Sequence, residues 1–155
     1  MPDLSRQVML VRAGEAQVGI VVGEVAAVAE QARLSAVPKA PPGVLGIMNH
    51  LGSVLTVVSL AAILGLPEPS APIAAPFVVV VERGEDRIGL RVERVDGITL
   101  TVDLDQDIVT DGPDGPAGPL TRGWLAVEGS SVRLVDGAAI VGEVLARFER
   151  RERRA

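Results

Sequence analysis

Side chains able to do chemistry are scarce in this sequence of 155 residues. His50 is the only histidine and there is no cysteine, so the chain lacks the ligands of a conventional zinc site and any thiol nucleophile. Ser53 and the pair Ser130-Ser131 have no histidine at a spacing suggestive of a catalytic dyad, and they suit hairpin turns. We interpret His50 as an exposed loop residue. The sequence therefore predicts no catalytic residue, no metal and no cofactor.

An acidic run in the second half superficially resembles a calcium-binding loop. It contains Asp103, Asp105 and Asp107, but the sixth position, where such a loop needs glycine, is Ile108. The twelfth position is Asp114 rather than glutamate. Aspartates alternating with apolar residues are typical of a half-exposed strand, so we expect a strand here and no calcium site.

The most informative stretch is VPKAPPGVLGIMNHLGSVLTVVSL, from Val37 to Leu60. Its prolines fix φ and remove backbone donors, which predicts a rigid lead-in. Gly46 and Gly52 then flank the polar pair Asn49-His50, and a β-branched run begins at Val54. This order predicts strand, tight loop, strand. Asn49 is either a partner-contact residue at the tip or a turn residue that tolerates positive φ.

Composition limits the classes of partner. Hydrophobic residues make up 48% of the chain and aromatic residues 2%, so the core must be aliphatic. A net charge of −5 and few stacking side chains argue against nucleic-acid binding. The longest apolar run, Val54 to Leu66, is shorter than the roughly 20 residues that span a bilayer. The first residues lack a secretory-signal pattern, and the absence of cysteine fits a reducing compartment. We therefore expect no membrane insertion.

The elements that must position these residues are mostly strands. Hairpins are predicted at 8–22, 77–92 and 123–135, and a further strand at 97–102. The segment 24–30 is ambiguous between a helical turn and a strand, and 111–119 reads as a loop. Ser59 is expected to cap a short helix that ends near Gly65, and a terminal helix is predicted from Ala138 to Arg154.

Two features of the second half permit two interpretations each. Trp124 is either an anchor for a partner or a core residue. The arginine-rich end, RFERRERRA, either contacts an acidic surface or is a solvated helix end. Glu149 and Glu152 are interleaved with the arginines, which favours the solvated end with ion pairs along the helix.

The chain also contains an internal repeat, which should be sought before the fold is assigned. Gly14, Gly19 and Val25 recur as Gly84, Gly89 and Val95, in each case 70 positions later. Gly46 and Gly52 recur 77 positions later, so the second copy is seven residues longer. Strands too short to bury both faces usually close into barrels or pair. We therefore predict two small β-barrels that share an aliphatic core.

The order of these motifs resembles the CheW family of chemotaxis coupling proteins from about Val8 to Phe148. The family motif P-x-A-P-x-x-x-x-G-x-x-N-L-R-G is similar to the segment containing these residues: Pro38, Ala40, Pro41, Gly46, Asn49 and Gly52. The pattern G-L-x-V-(D/E)-x-V resembles the segment with these residues: Gly89, Leu90, Val92, Glu93 and Val95. The closing L-(L/V)-D pattern is similar to Leu134, Val135 and Asp136.

This resemblance implies an all-β fold of two intertwined five-stranded SH3-like barrels with short helices and a C-terminal helix. It implies a single CheW-like domain over 1–155, with subdomains at about 8–66 and 77–137, a linker at 67–76 and the helix at 138–152. Members of the family are cytoplasmic adaptors without an active site, associated with chemoreceptor clusters. The partners implied are the cytoplasmic tip of a chemoreceptor, the regulatory domain of a CheA-type histidine kinase and other CheW-like proteins.

Two positions depart from the family pattern. The arginine of N-L-R-G is replaced by Leu51, and an acidic residue common in the family's V-x-E-(I/V) segment is replaced by Ala27. Both changes remove a charge that would specify a partner. The hypothesis is an adaptor with altered partner contacts, in which kinase binding is weakened or lost. The predicted partner-binding residues are Val25, Ala27, Gly46, Asn49, Leu51 and Gly52.

The alternative from another class is a small-molecule-binding β-barrel that acts as a sensor. It would require a lined pocket with a few convergent polar groups. The sequence instead offers Val, Leu and Ile for the interior, which argues against it.

Overall fold

A computed structural model describes residues 7–69, 75–98, 103, 106–112, 115–116 and 118–154. Its first half contains the strands β1 (Val8–Ala13), β2 (Ala16–Val21), β3 (Val25–Glu30), β4 (Val44–His50) and β5 (Ser53–Ser59). The second half contains β6 (Phe77–Arg83), β7 (Asp86–Val92), β8 (Arg94–Ile98), β9 (Ile108–Val109), β10 (Asp111–Gly112), β11 (Gly115–Pro116), β12 (Thr121–Val127) and β13 (Ser130–Val135). The helices are α1 (Leu60–Ile63) and α2 (Gly137–Arg154). The all-β prediction with a C-terminal helix is confirmed.

Local sequence explains most of these boundaries. The Ser59 hydroxyl oxygen accepts a hydrogen bond from the Ala62 amide at 3.1 Å, which caps α1 as expected. The Asp136 carboxylate accepts one from the Ala139 amide at 3.1 Å and does the same for α2. The ambiguous segment 24–30 is a strand from Val25, preceded by a 3-10 turn over Val22–Glu24.

The two halves of the chain exchange hairpins between two sheets. The five-stranded sheet has the order β3-β6-β7-β5-β4, and the six-stranded sheet has the order β8-β1-β2-β13-β12-β9. The β1–β2 hairpin pairs in parallel with β13, and the β6–β7 hairpin pairs in parallel with β5. Each sheet therefore takes strands from both sides of the proposed linker, and the subdomain boundaries stay a prediction.

The internal repeat has matching backbone irregularities. The ladder of β4 with β5 shifts register next to Gly46, and the ladder of β12 with β13 shifts next to Gly123. These two glycines have φ values of 152° and 158°. Each copy therefore bends its own long hairpin at the same point, which explains why glycine recurs there.

The core has three parts. The largest cluster lies between the sheets and the helices, and it includes Val58, Leu60, Leu90 and Ile140. A small cluster lies on the five-stranded sheet, formed by Met48, Leu55, Val57, Val78 and Val80. Its counterpart on the six-stranded sheet is formed by Val8, Val21, Leu125 and Leu134. The buried members of the three clusters are aliphatic side chains and methionine, and Phe77 and Phe148 pack against the largest cluster.

Three expectations on the second half need correction. Part of the loop expected at 111–119 forms the short β10–β11 ribbon, since Asp111 pairs with Pro116 and Gly112 with Gly115. The strand expected at 97–102 runs from Arg94 to Ile98, and 99–102 lie outside the described residues. Asp103 begins a turn rather than a strand, because its carbonyl oxygen accepts hydrogen bonds from the amides of Gln106 and Asp107.

Trp124 belongs to the core, with 8% of its surface exposed. Its ring packs against the Gly112 backbone, and the Arg133 guanidinium lies 4.9 Å from the ring centroid. The arginine-rich end of α2 is not fully solvated. Arg147 and Arg151 donate hydrogen bonds to the carbonyl oxygens of Pro42 and Pro38, so the helix end is fastened to the proline lead-in.

Candidate partner-binding surface

The β4–β5 hairpin ends in a two-residue turn formed by Leu51 and Gly52. Their φ values are 50° and 84°, and type I′ turns require positive φ at both central residues. The Asn49 side-chain oxygen accepts a hydrogen bond from the Gly52 amide at 3.1 Å. Asn49 itself belongs to β4 and does not have positive φ, so it is not the positive-φ turn residue considered from the sequence; positive φ occurs at Leu51, and the Asn49 side chain bonds across the turn.

Leu51 and Val54 form an exposed patch on this hairpin, which we call the apolar tip. Leu51 is 89% exposed and Val54 is 74% exposed. A leucine with positive φ is uncommon, because its Cβ crowds the following carbonyl. Neither strand packing nor turn geometry accounts for leucine at this position, so the apolar tip is the strongest candidate for contact with a partner.

Gly46 has a structural role within β4. It is buried, and a Cβ on it would lie 2.6 Å from the Ser35 carbonyl oxygen. Ser35 and the neighbouring Ile47 exchange two backbone hydrogen bonds of 2.8 and 2.9 Å. Only glycine fits between these backbones, so Gly46 fixes the direction in which the hairpin projects.

Val25 and Ala27 lie on β3, at the opposite edge of the sheet from β4. Both are half-buried: Val25 packs against the large core, and Ala27 packs against the small core that Met48 of β4 also lines. The large apolar side chain that β3 exposes is Val28, at 42%. The structure thus groups Asn49, Leu51 and Gly52 at the tip of the hairpin. The other predicted residues lie elsewhere, with Gly46 inside β4, and Val25 and Ala27 on β3 at the opposite edge of the sheet.

Sequence reasoning assigned Val54 to the strand and missed its exposure. In β5, Val54 faces outward and Leu55 faces inward. This alternation could not be read from the sequence, because most residues from Val54 to Val58 are apolar on both faces. Val28 was missed for a related reason, because alanine and valine occupy both faces of β3.

Four polar side chains form a cluster at the start of α1 and the end of β7: Ser59, Glu68, Arg91 and Glu93. The Ser59 hydroxyl donates to Glu68 at 2.5 Å, and Arg91 donates to Glu68 at 2.7 Å. The second carboxylate of the cluster, Glu93, accepts from the Gly14 amide at 3.0 Å. The Ser59 hydroxyl is thus committed to capping α1 and bonding Glu68, which is a structural role.

Two surface carboxylates have shifted acidity. Burial raises the pKa of Asp96, but hydrogen bonds from Gln17 and Arg94 outweigh this effect and leave the pKa lowered. A hydrogen bond from Arg147 is the main cause that lowers the pKa of Glu143.

In the part of the chain that the structure describes, no group of three or more acidic or histidine residues is placed to hold a metal ion. Nor does any helix there have the length and apolarity to cross a membrane.

Comparisons with known proteins agree with one another. Residues 7–145 match the CheW-like domain family. The probable chemotaxis protein CheW of Rhizobium etli is 26% identical over 141 residues, which cover 89% of this chain and 88% of that protein. The chemotaxis protein CheW of Rhizobium meliloti is 32% identical over 99 residues, which cover 64% and 63% of the two chains.

A solved structure shares the fold. The scaffolding protein TtCheW from Thermoanaerobacter tengcongensis superposes with a TM-score of 0.76 at 16% sequence identity, covering 90% of this chain and 89% of that one. The two exchanged sheets described above are therefore a known architecture. Together with the match over residues 7–145, this shows that the chain belongs to the CheW-like domain family of non-enzymatic chemotaxis scaffolds.

Proposed function

We propose that this chain links the cytoplasmic tip of methyl-accepting chemoreceptors to the regulatory domain of a CheA-type histidine kinase. It acts in the cytoplasm at receptor clusters, beside other CheW-like proteins. Membership of the family and the chemotaxis names of its relatives support this role.

The observation that carries the proposal is the exposure of Leu51 and Val54 at the end of a well-anchored hairpin. In the family pattern, an arginine precedes the turn glycine, and Leu51 occupies that position here. Contact through the apolar tip depends on burial of hydrocarbon rather than on an ion pair, so affinity at this surface depends little on salt. We assign the apolar tip to the kinase regulatory domain, as a contact altered by the replacement of the family arginine, and such a contact requires an apolar surface on that domain.

The other predicted residues have supporting roles in this proposal. Asn49 and Gly52 hold the turn that presents Leu51, and Gly46 sets the direction of the hairpin. Val25 and Ala27 support β3 from inside, and Val28 extends the apolar contact on its outer face.

The deciding experiment is calorimetry of the chain against two partners from the same cell, the kinase regulatory domain and the receptor cytoplasmic tip. Binding to both partners supports the proposal, whereas binding to the receptor alone would overturn its kinase half and identify an adaptor that does not hold the kinase. Binding to neither would overturn the proposal.

A matched pair of variants locates the contact. Leu51→Asn introduces a residue suited to positive φ and removes the apolar side chain. Glu128→Asn makes the corresponding change at the β12–β13 tip, where Glu128 has a φ of 47°. We expect Leu51→Asn to weaken kinase-domain binding at least about tenfold, as for an interface anchor, and Glu128→Asn to leave it unchanged. Equal affinities for both variants would remove the apolar tip from the interface.

A further inference from the structure

A groove on another face of the molecule has no role in the proposal above. It lies between the C-terminal half of α2 and the proline-rich segment 38–42 that precedes β4, which we call the proline lead-in. The groove has a volume of about 970 Å³. One wall is apolar, formed by Pro38, Ala40, Pro41, Pro42 and Ala62. The other wall is formed by Glu143, Arg147, Arg150, Arg151 and Glu152, with Lys39 on the lead-in. We call this feature the cationic groove.

The arginines of the groove are held in place by the protein. Arg147 donates to the Pro42 carbonyl oxygen and to Glu143, both at 2.9 Å. The Arg151 guanidinium lies 4.9 Å from the centroid of the Phe148 ring. A guanidinium has five N–H donors, so these contacts leave further donors for a ligand. Because prolines fix the opposite wall, little ordering is needed when a ligand binds.

The charge of the groove opposes that of the whole chain. Its lining has four cationic side chains and two carboxylates, whereas the chain has a net charge of −5. This moderate excess suits single carboxylates, which arginine binds in a bidentate manner. An anionic membrane is a poorer match, because the groove is concave and the rest of the chain is acidic.

We propose that the cationic groove is a second docking site, which binds an acidic peptide segment of a partner protein. Carboxylates of that segment pair with the guanidinium groups, chiefly that of Arg150, whose side chain is 52% exposed. Apolar residues between the carboxylates pack on the prolines. The site is independent of the apolar tip, so an adaptor that lost one contact retains the other.

The test uses the full chain and a fluorescein-labelled peptide of repeated Glu-Leu-Pro, with a Gln-Leu-Pro peptide for comparison. Fluorescence anisotropy should show binding of the acidic peptide, and the neutral peptide should bind at least about tenfold more weakly. Arg150→Glu should weaken binding of the acidic peptide by about tenfold or more. Amide shifts in a nuclear magnetic resonance titration should cluster at Lys39, Ala40 and 143–152.

Arg87→Glu is the matched control. Arg87 is an exposed arginine outside the groove, and it pairs with Glu82 at 3.2 Å, as Arg150 pairs with Glu143 at 3.2 Å. We expect Arg87→Glu to change affinity by less than about twofold. The proposal is overturned if the acidic peptide does not bind, if both variants lose equal affinity, or if the neutral peptide binds as well. Arg150-dependent binding to phosphatidylglycerol vesicles in place of the peptide would also overturn it.

Discussion

At the scale of single residues, the turns of the β4–β5 and β12–β13 hairpins have the same backbone conformation but different side chains. Leu51 and Glu128 have φ values of 50° and 47°, and each precedes a glycine with positive φ. Both positions favour asparagine or glycine, because other residues lose energy in the left-handed region. The copies therefore share a turn geometry and a strain, while one tip presents an apolar side chain and the other a carboxylate.

The strain predicts that both tips can be stabilised. Leu51→Asn and Glu128→Asn should each raise the free energy of unfolding by about 0.5–1 kcal/mol, because asparagine tolerates positive φ. Urea unfolding followed by circular dichroism measures the change. Loss of stability in Leu51→Asn would show that the Leu51 side chain has an intramolecular role. A gain in stability together with weaker kinase-domain binding would show that leucine serves the partner.

At the scale of elements, the exchanged hairpins depend on two equivalent glycines. A Cβ on Gly89 of β7 would lie 2.6 Å from a Val78 methyl and 3.0 Å from a Leu55 methyl. A Cβ on Gly19 of β2 would lie 2.8 Å from a Val8 methyl and 3.3 Å from a Leu134 methyl. Each glycine lies where its hairpin pairs with a parallel neighbouring strand. Because the glycine has no side chain, the residues of the small core pack directly over its backbone.

Gly89→Ala should therefore destabilise the protein by about 1–3 kcal/mol, as expected for overpacking of a filled core. Gly19→Ala should have a smaller effect, because its contacts are less close. Gly118→Ala is the control, since a Cβ there meets no atom within 4 Å, and it should change stability by less than about 0.5 kcal/mol. Thermal unfolding of the three variants would contradict this explanation if Gly118→Ala cost as much as Gly89→Ala.

The ion pairs of α2 predict a dependence of stability on pH. Because the pKa of Glu143 is lowered in the folded state, its contribution is present above the ordinary value of about 4.5 and is lost as pH falls through the folded pKa. Glu143→Gln should cost about 0.5–1 kcal/mol at pH 7 and have no effect once the wild-type carboxylate is protonated. Glu149→Gln, on the exposed side of the same helix, is the control for loss of one negative charge. An equal cost of Glu143→Gln at all pH values would contradict this prediction.

The elements were largely predictable from sequence, but their partners were not. Alternation and glycine punctuation identify the hairpins, and Ser59 identifies the start of α1, because these signals are local. Strand propensity carries no information about which strand lies beside β2 or β5, so the parallel pairings of β2 with β13 and of β5 with β7 could not be predicted. The inward direction of Val25 and Ala27 was hidden because small apolar residues occupy both faces of β3. The β10–β11 ribbon was missed because its residues are glycine, proline and aspartate, which indicate loops.

At the scale of the whole molecule, the hairpin exchange makes the halves mutually dependent. The β1–β2 hairpin completes the sheet that contains β12 and β13, and the β6–β7 hairpin completes the sheet that contains β3 and β5. The large core draws buried residues from both halves, including Val11, Leu60, Leu90 and Ile140. If one sheet unfolds, the buried side chains that the other sheet contributes to the shared core become exposed. The two sheets should therefore unfold together.

A probe in one sheet should therefore report a mutation in the other. Trp124, the only tryptophan, lies in β12 of the six-stranded sheet, whereas Val57 is fully buried in the small core of the five-stranded sheet. Val57→Ala should lower the free energy of unfolding by about 2 kcal/mol through lost methyl groups and the resulting cavity. The urea midpoints from tryptophan fluorescence and from far-ultraviolet circular dichroism should shift equally, while Val54→Ala, at an exposed position, should shift neither. A shift in circular dichroism with an unchanged tryptophan transition would mean that the sheets unfold independently, because the probe would then report a sheet that the cavity does not destabilise.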